Sequence, residues 1–433
     1  MRPFLTALLS LPFLLTSLRA AVQNVDCRRP QVFPGAAVNA VILPYQYIGS
    51  NDRIERSQAA QRLGLILQRD ILLALLRYPS IAAVQMIRPR DAAASCDPET
   101  IVNQLLGNQP GARSTLLAGH GAVFLWGVLY EEGDDLYVRS FLRFLRRVPN
   151  GDQVTMSLGS FKFTGPMPVD SVAFPPVRIT AVELGEIERL FRESSLLRPT
   201  PDASQPGTEI PFTPMFPFAY TVQEARGEWI RVKPLEDGPD GWMHIESRTG
   251  PWSLRTRMPE IHFLVSVVGY LQALMFESAG DSAQARRMVD ISRQALSDFE
   301  NTARLEKAAE TASAVRTLSA RLRLIRERDV EAWKAAVADL DKAVQLDRSS
   351  AELRNFQTMC RAWLAFNRQA DYPAGRLAED FRDAAARSSN RQILSNLATL
   401  YRVMLAGPTP AADSIRAELA KVEKIMAAQP GNP

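Results

Sequence analysis

The chain has 433 residues, 46% of them apolar, with 51 basic and 47 acidic side chains, three histidines and three cysteines. That is enough apolar material for two or three hydrophobic cores, so several domains are expected. A formal charge of +4 without a basic stripe argues against nucleic acid as a partner. So few histidines and cysteines, with no CxxC spacing, argue against a structural metal site.

At the amino terminus Arg2 precedes an apolar run from Phe4 to Leu18, broken by Thr6, Ser10, Pro12, Thr16 and Ser17 and followed by small residues. A run of that length is too short to span a bilayer. The pattern is that of a secretory leader over residues 1–20, cleaved after Ala20 or Ala21. Its removal takes away Arg2 and Arg19 and lowers the formal charge from +4 to +2. The expected destination is the periplasm of a Gram-negative-type envelope. In that oxidising compartment Cys27 and Cys96 either form a bridge or stay as two unpaired buried thiols, a choice the spacing leaves open. Cys360 is expected as a buried thiol.

A buried strand is expected from Val38 to Leu43, ending at Pro44. A helix over 55–77 follows, with Ala60, Leu63, Leu67, Ile71, Ala74 and Leu75 on one face, then a strand over 81–87. Asp97 as N-cap and Pro98 in the first turn start a helix that Gly107 stops. The clearest local signal lies within 122–147. Two β-branched and aromatic runs flank Glu131-Glu132-Gly133-Asp134-Asp135, the form of a β-hairpin. In its second strand Leu136, Val138, Leu142 and Phe144 face one way, and Tyr137, Arg139, Phe141 and Arg143 the other. A further strand is expected over 154–163. A helix over 179–197 comes next, with a Thr180/Glu183 capping box and Val182, Ile187, Leu190 and Phe191 inward.

These elements predict an α/β domain over 22–197, a mixed sheet with packed helices. The proline-rich stretch RPTPDASQPGTE, 198–209, reads as a linker. From 259 to 428 helical periodicity predicts an all-α array, with helices over 260–278, 282–299, 302–328, 330–346, 351–368, 375–388, 391–405 and 411–427. The first is strongly apolar, but it is short for a membrane span and contains His262 and Gln272. A packed helix, and no integral span in the mature chain, is expected.

Three resemblances attach to these patterns. The order VNAVILPYQYI, a long helix, VQMIRPRD, then AGHGAVFLWGVLYEEGDDLYVRSFLRFLRRVPNGDQV resembles the TolB amino-terminal-type domain over 38–164, which implies a non-catalytic interaction or structural module. The pair EWIRV and DGWMH resembles the end of a bacterial Src-homology-three-type barrel over 208–252, which implies a small β-barrel over 210–252. Trp229 and Trp242 then line a peptide or glycan groove or fill a small core, and so small a barrel favours the core. Gly280 with Ala285, and Ala336 with Ala343, resemble tetratricopeptide repeats, in which small residues let paired helices approach and stacked pairs form a concave docking surface.

No chemistry stands out. His120, in Gly119-His120-Gly121, has no nucleophile elbow or second histidine nearby, and neither phosphate-binding glycine motif occurs. The acidic run 131–135 lacks the spaced ligands of a calcium loop and reads as a solvated turn. No catalytic residue, cofactor or metal is expected. The sequence thus points to a non-enzymatic envelope scaffold that binds a protein partner through its helical array. The alternative is a peptidoglycan-binding protein acting through the small barrel.

Overall fold

The structure is a computed structural model that describes residues 21–26, 38–49, 54–76, 83–88, 121–146, 153–158, 160–166, 171–194, 196–209, 220–227, 229–234, 239–244, 257–305, 308–326, 329–388 and 390–428. The expected leader, the helix begun at Asp97, and His120, Cys27 and Cys96 lie outside them.

Four strands make the parallel centre of one sheet: β1 (Ala21–Asp26), β2 (Val38–Ile48), β3 (Ala83–Arg88) and β4 (Gly121–Glu132), in the order β1-β3-β2-β4. β2 does not stop at Pro44. It pairs with β3 only from Asn39 to Ile42, then continues beside β4 after a register shift between Ile42 and Tyr45. A proline has no N–H for a ladder, and an irregularity with a partner on one side is where a strand tolerates it.

β4 and β5 (Asp135–Arg146) form the expected hairpin, Glu132 opposite Asp135, with Gly133 first in the two-residue turn at φ 67°. A positive φ at that position alone is the form that matches strand twist and favours glycine. Leu136, Val138, Leu142 and Phe144 are buried as the alternation predicts, whereas Arg139 is exposed. Residues 154–163, expected as one strand, hold most of β6 (Gln153–Leu158) and the start of β7 (Phe161–Pro166). These two form a separate two-stranded sheet. Two short strands, β8 (Ser171–Ala173) and β9 (Val177–Ile179), then pair with β5.

The capping box forms in the helix after β9. Thr180 N–H donates to Glu183 Oε2 at 2.7 Å, and Glu183 N–H to Thr180 Oγ1 at 3.3 Å. Val182, expected inward, is 71% exposed, while Glu183 and Ile187 are buried. The cap and an ion pair from Arg257 to Glu183 set the rotation of this helix.

The stretch expected as a linker runs from the last residue of β10 (Leu196–Arg198) through β11 (Thr208–Glu209), and the two strands pair antiparallel. The loop between them is tied by Asp202, which accepts from Ser204 N–H, and by Arg198, which donates to the Gln205 carbonyl. Nor do the strands beyond close into a barrel among the described residues. β12 (Tyr220–Arg226), β13 (Trp229–Pro234) and β14 (Gly241–His244) form a meander whose outer strands are both taken: β12 pairs with β1, and β14 with β10. With no free edges left to meet, the meander extends the mixed sheet to 12 strands.

Ten helices are described: α1 (Ile54–Leu76), α2 (Ala181–Ser194), α3 (Glu260–Ser278), α4 (Ser282–Thr302), α5 (Ala309–Arg326), α6 (Val330–Leu346), α7 (Ala351–Phe366), α8 (Ala374–Ala386), α9 (Arg391–Leu405) and α10 (Ala412–Ala428). The 302–328 helix of the sequence begins late, because Ala303 takes an extended conformation that ends α4. Asp281, Asp329, Ser350 and Asn390 cap α4, α6, α7 and α9 by accepting a backbone N–H. Between α3 and α4, Gly280 at φ 77° lets Asp281 N–H reach the Phe276 carbonyl.

The hydrophobic cores do not follow the domain boundaries expected from the sequence. The first joins the sheet, α1, α3, α4 and the near face of α5. The second joins α6 to α10 with the β6–β7 hairpin. α5 bridges them: Thr311 Oγ1 donates to the Ala173 carbonyl of β8, and Ser313 Oγ to the Ala343 carbonyl of α6. α3 is the one described helix long and apolar enough to cross a membrane, and here its apolar window is 67% buried against the sheet and its neighbours.

Candidate functional site

The helical array already holds an extended piece of polypeptide. β7 lies along α9, and both hairpin strands touch α7. Side chains alternate along each strand, so Met156 and its cross-strand partner Phe163 point into the array while Ser157 and Lys162 stay exposed. Phe163 is fully buried and stacks on Phe381 of α8, their ring centroids 6.0 Å apart. Beside it the Asn396 carboxamide oxygen accepts the Thr164 N–H at 2.8 Å, and Asn396 Nδ2 donates to Asn355 Oδ1 at 3.0 Å. Both asparagines are buried. A buried amide is costly unless its bonds are made, so this pair is satisfied only with a backbone N–H in front of it.

Elsewhere on the array the half-buried Trp333 and Trp363 stack at 4.1 Å, joining α6 to α7. Arg361 ties Asp341 and Asp380 together beside Tyr372.

A second surface carries the two tryptophans singled out in the sequence. Trp229 lies opposite His244 on the adjacent strand, and Trp242 opposite both Arg231 and Arg198, so all share one face of the sheet. The other face sends fully buried Ile230, Val232 and Met243 into the first core. The Arg198 guanidinium sits 5.5 Å from the Trp229 ring and that of Arg226 5.1 Å from the Trp242 ring. Trp242 is only 6% exposed, whereas Trp229 is half-buried, so Trp229 is the one able to touch a ligand. Trp242→Ala should therefore lower stability by about 3 kcal/mol, the usual scale for a buried large aromatic, in a urea melt.

A third constellation sits where the sheet meets α3. Tyr45, Gly127 and Ser140 lie in one row across β2, β4 and β5. The Tyr45 hydroxyl is 3.0 Å from Ser140 Oγ, which donates to Glu260 Oε1 at 2.7 Å. All three side chains are buried. Burial, with a smaller contribution from the Glu260 charge, pushes the Tyr45 phenol up, so it stays protonated. Burial also pushes the Glu260 carboxyl up to about 7, against the hydrogen bonds from Ser140 and its own N–H. Glu260 reaches the wall of a cleft of about 410 Å³ lined also by Arg178, Arg257, Arg304, Phe174 and Phe299. Arg178 pairs with Asp135 and Arg257 with Glu183, so acids within the fold offset most of its positive charge.

Of the residues expected to pack repeats, Ala285, Ala336 and Ala343 are buried, and Gly280 makes the α3–α4 turn. Cys360 is a buried free thiol whose pKa burial pushes up. Among the described residues no group of three or more histidine, cysteine or acidic side chains could hold a metal. No family model, curated protein or solved structure matches the chain. Geometry therefore carries the functional argument.

Phe163, Asn355 and Asn396 do not stand out in the sequence. The available signal is an asparagine on an apolar helical stripe: Asn396 lies between buried Ile393 and Leu400, and Asn355 four residues before buried Met359. A polar residue in core phase marks a partner somewhere, without naming it.

Proposed function

We propose that this chain is a non-enzymatic scaffold of the cell envelope, carried to the periplasm by a cleaved leader, that binds a protein partner through its C-terminal helical array. The observation supporting this most directly is the chemistry of the α7–α9 groove. A deep aromatic pocket beside a buried asparagine pair that accepts a main-chain N–H recognises extended polypeptide. Among the described residues no nucleophile, base and oxyanion donor converge there, as acyl-transfer chemistry would require.

The test is affinity capture from envelope extract with the full chain and with a chain ending at Arg328. That cut spares the helices that complete the first core; a cut after Trp252 would remove α3, α4 and α5 from it. A protein retained only by the full chain is expected. Retention by both would assign the interaction to the sheet instead.

The arginine and tryptophan face of β10, β13 and β14 favours a second reading, binding of peptidoglycan. Aromatic rings stack on sugars and guanidinium groups pair with carboxylates. On this reading Trp229→Ala should reduce cosedimentation with purified cell wall at least fivefold in a protein of unchanged melting temperature. An unchanged sedimented fraction rejects it.

A further inference from the structure

We infer that the α7–α9 groove is a docking site for an extended partner segment carrying an aromatic residue, and that the β6–β7 hairpin is its resident, exchangeable occupant. This rests on the scaffold reading above and names the groove, the class of partner and the device that controls access.

Among the described residues the hairpin is a sheet of its own, bonded to no strand of the main sheet. A two-stranded hairpin is at best marginal in water, so the array holds it in place. Among the described residues Met156 and Phe163 are its buried side chains, Leu158 packs partly buried beside them, and the Thr164 N–H bonded to Asn396 is a main-chain anchor. That bond reads the backbone and is indifferent to side-chain identity, while the Phe381 pocket selects the aromatic ring. Any extended segment offering both features satisfies the same groups.

Exchange also matches the cost of an empty groove. Without an occupant Asn396 loses its backbone donor and Phe381 its stacked ring, so the groove favours being filled at all times. A resident segment on the same chain competes at the millimolar effective concentration typical of a short tether, so an incoming segment must outbid it. The partner site is thus closed until a better ligand arrives.

The test uses a fluorescent peptide of sequence QVTMSLGSFKFTGP, residues 153–166, titrated by anisotropy into the full chain and into full-chain Phe163→Ala. Removing the resident ring should let the variant bind the peptide at least tenfold more tightly than the wild type. Adding Asn396→Leu to that variant, or placing alanine at the Phe163 position of the peptide, should abolish the gain. Equal uptake by wild type and variant, or none by either while array helicity is intact, overturns the inference.

Hydrogen exchange on the wild type decides the matter even if Phe163→Ala unfolds the array. The amides of 153–166 should exchange by local opening, at least tenfold faster than those of α7 and α9. Exchange of both only by global unfolding overturns it. An envelope protein captured equally by wild type and Phe163→Ala defeats the exchange but spares the scaffold function. Peptide exchange with nothing captured leaves the groove established and defeats that function.

Discussion

Gly127→Ala is expected to be among the most damaging single substitutions in the first core. A Cβ at this position would lie 2.2 Å from Tyr45 Cε1, 2.4 Å from Cδ1 and 2.8 Å from the Arg139 carbonyl oxygen. The carbonyl belongs to the β4–β5 ladder and cannot retreat without breaking it. The tyrosine cannot swing aside without leaving Ser140, and the Ser140–Glu260 bond depends on the same row. Gly127 is the middle residue of that row, and its missing side chain is what lets the Tyr45 ring cross β4 to reach β5. Overpacking together with a stranded buried hydroxyl should cost about 3–4 kcal/mol. Urea melts followed in the sheet's own transition will read this. The double variant with Tyr45→Ala should lose much less than the sum of the two single changes, because the clashing ring is gone. A loss below about 1 kcal/mol, or simple additivity, would show that Tyr45 can repack.

The second large effect is a dependence on pH set by Glu260. Its carboxyl is raised from 4.5 to about 7 in the folded protein, chiefly by burial. Between those values the folded state keeps a proton that the unfolded state has released. Stability from this group is therefore complete below pH 4.5 and is lost as pH rises through 7. The size of the shift corresponds to about 3 kcal/mol. Glu260→Gln stays neutral at every pH and still accepts from Ser140. The variant should match the wild type near pH 4.5 and exceed it by about 3 kcal/mol above pH 8. A difference that does not change with pH would mean that Glu260 is ionised throughout and stabilised by groups around it.

Where a structural signal lies within a few residues, the sequence shows it. The Thr180/Glu183 capping box, the Gly133 turn and the boundaries of most helices in the array are legible because each depends on neighbours within one turn or one hairpin. Val182 shows where that breaks down: its apolar character suggests an inward face, but Glu183, held by Arg257, takes that face. The pair Trp229 and Trp242 stands out as aromatic and turn-flanked, yet nothing local tells a closed barrel from an extension of the main sheet. That depends on β1 and β10 taking the two outer strands of the meander.

The sequence by itself determined the alternation of strands and helices, the hairpin at Gly133 and the change to an all-helical second half. Those follow from periodicity and turn chemistry, which act over short separations. The tertiary structure alone decided the continuous sheet, the two cores joined by α5, the burial of Glu260 and the filling of the α7–α9 groove. Each is made by residues far apart in the chain. Thr164 and Asn396 are separated by 232 positions, and Ser140 and Glu260 by 120. A hydrogen bond across such a distance leaves at most a polar residue in core phase on one segment, and nothing local names its partner.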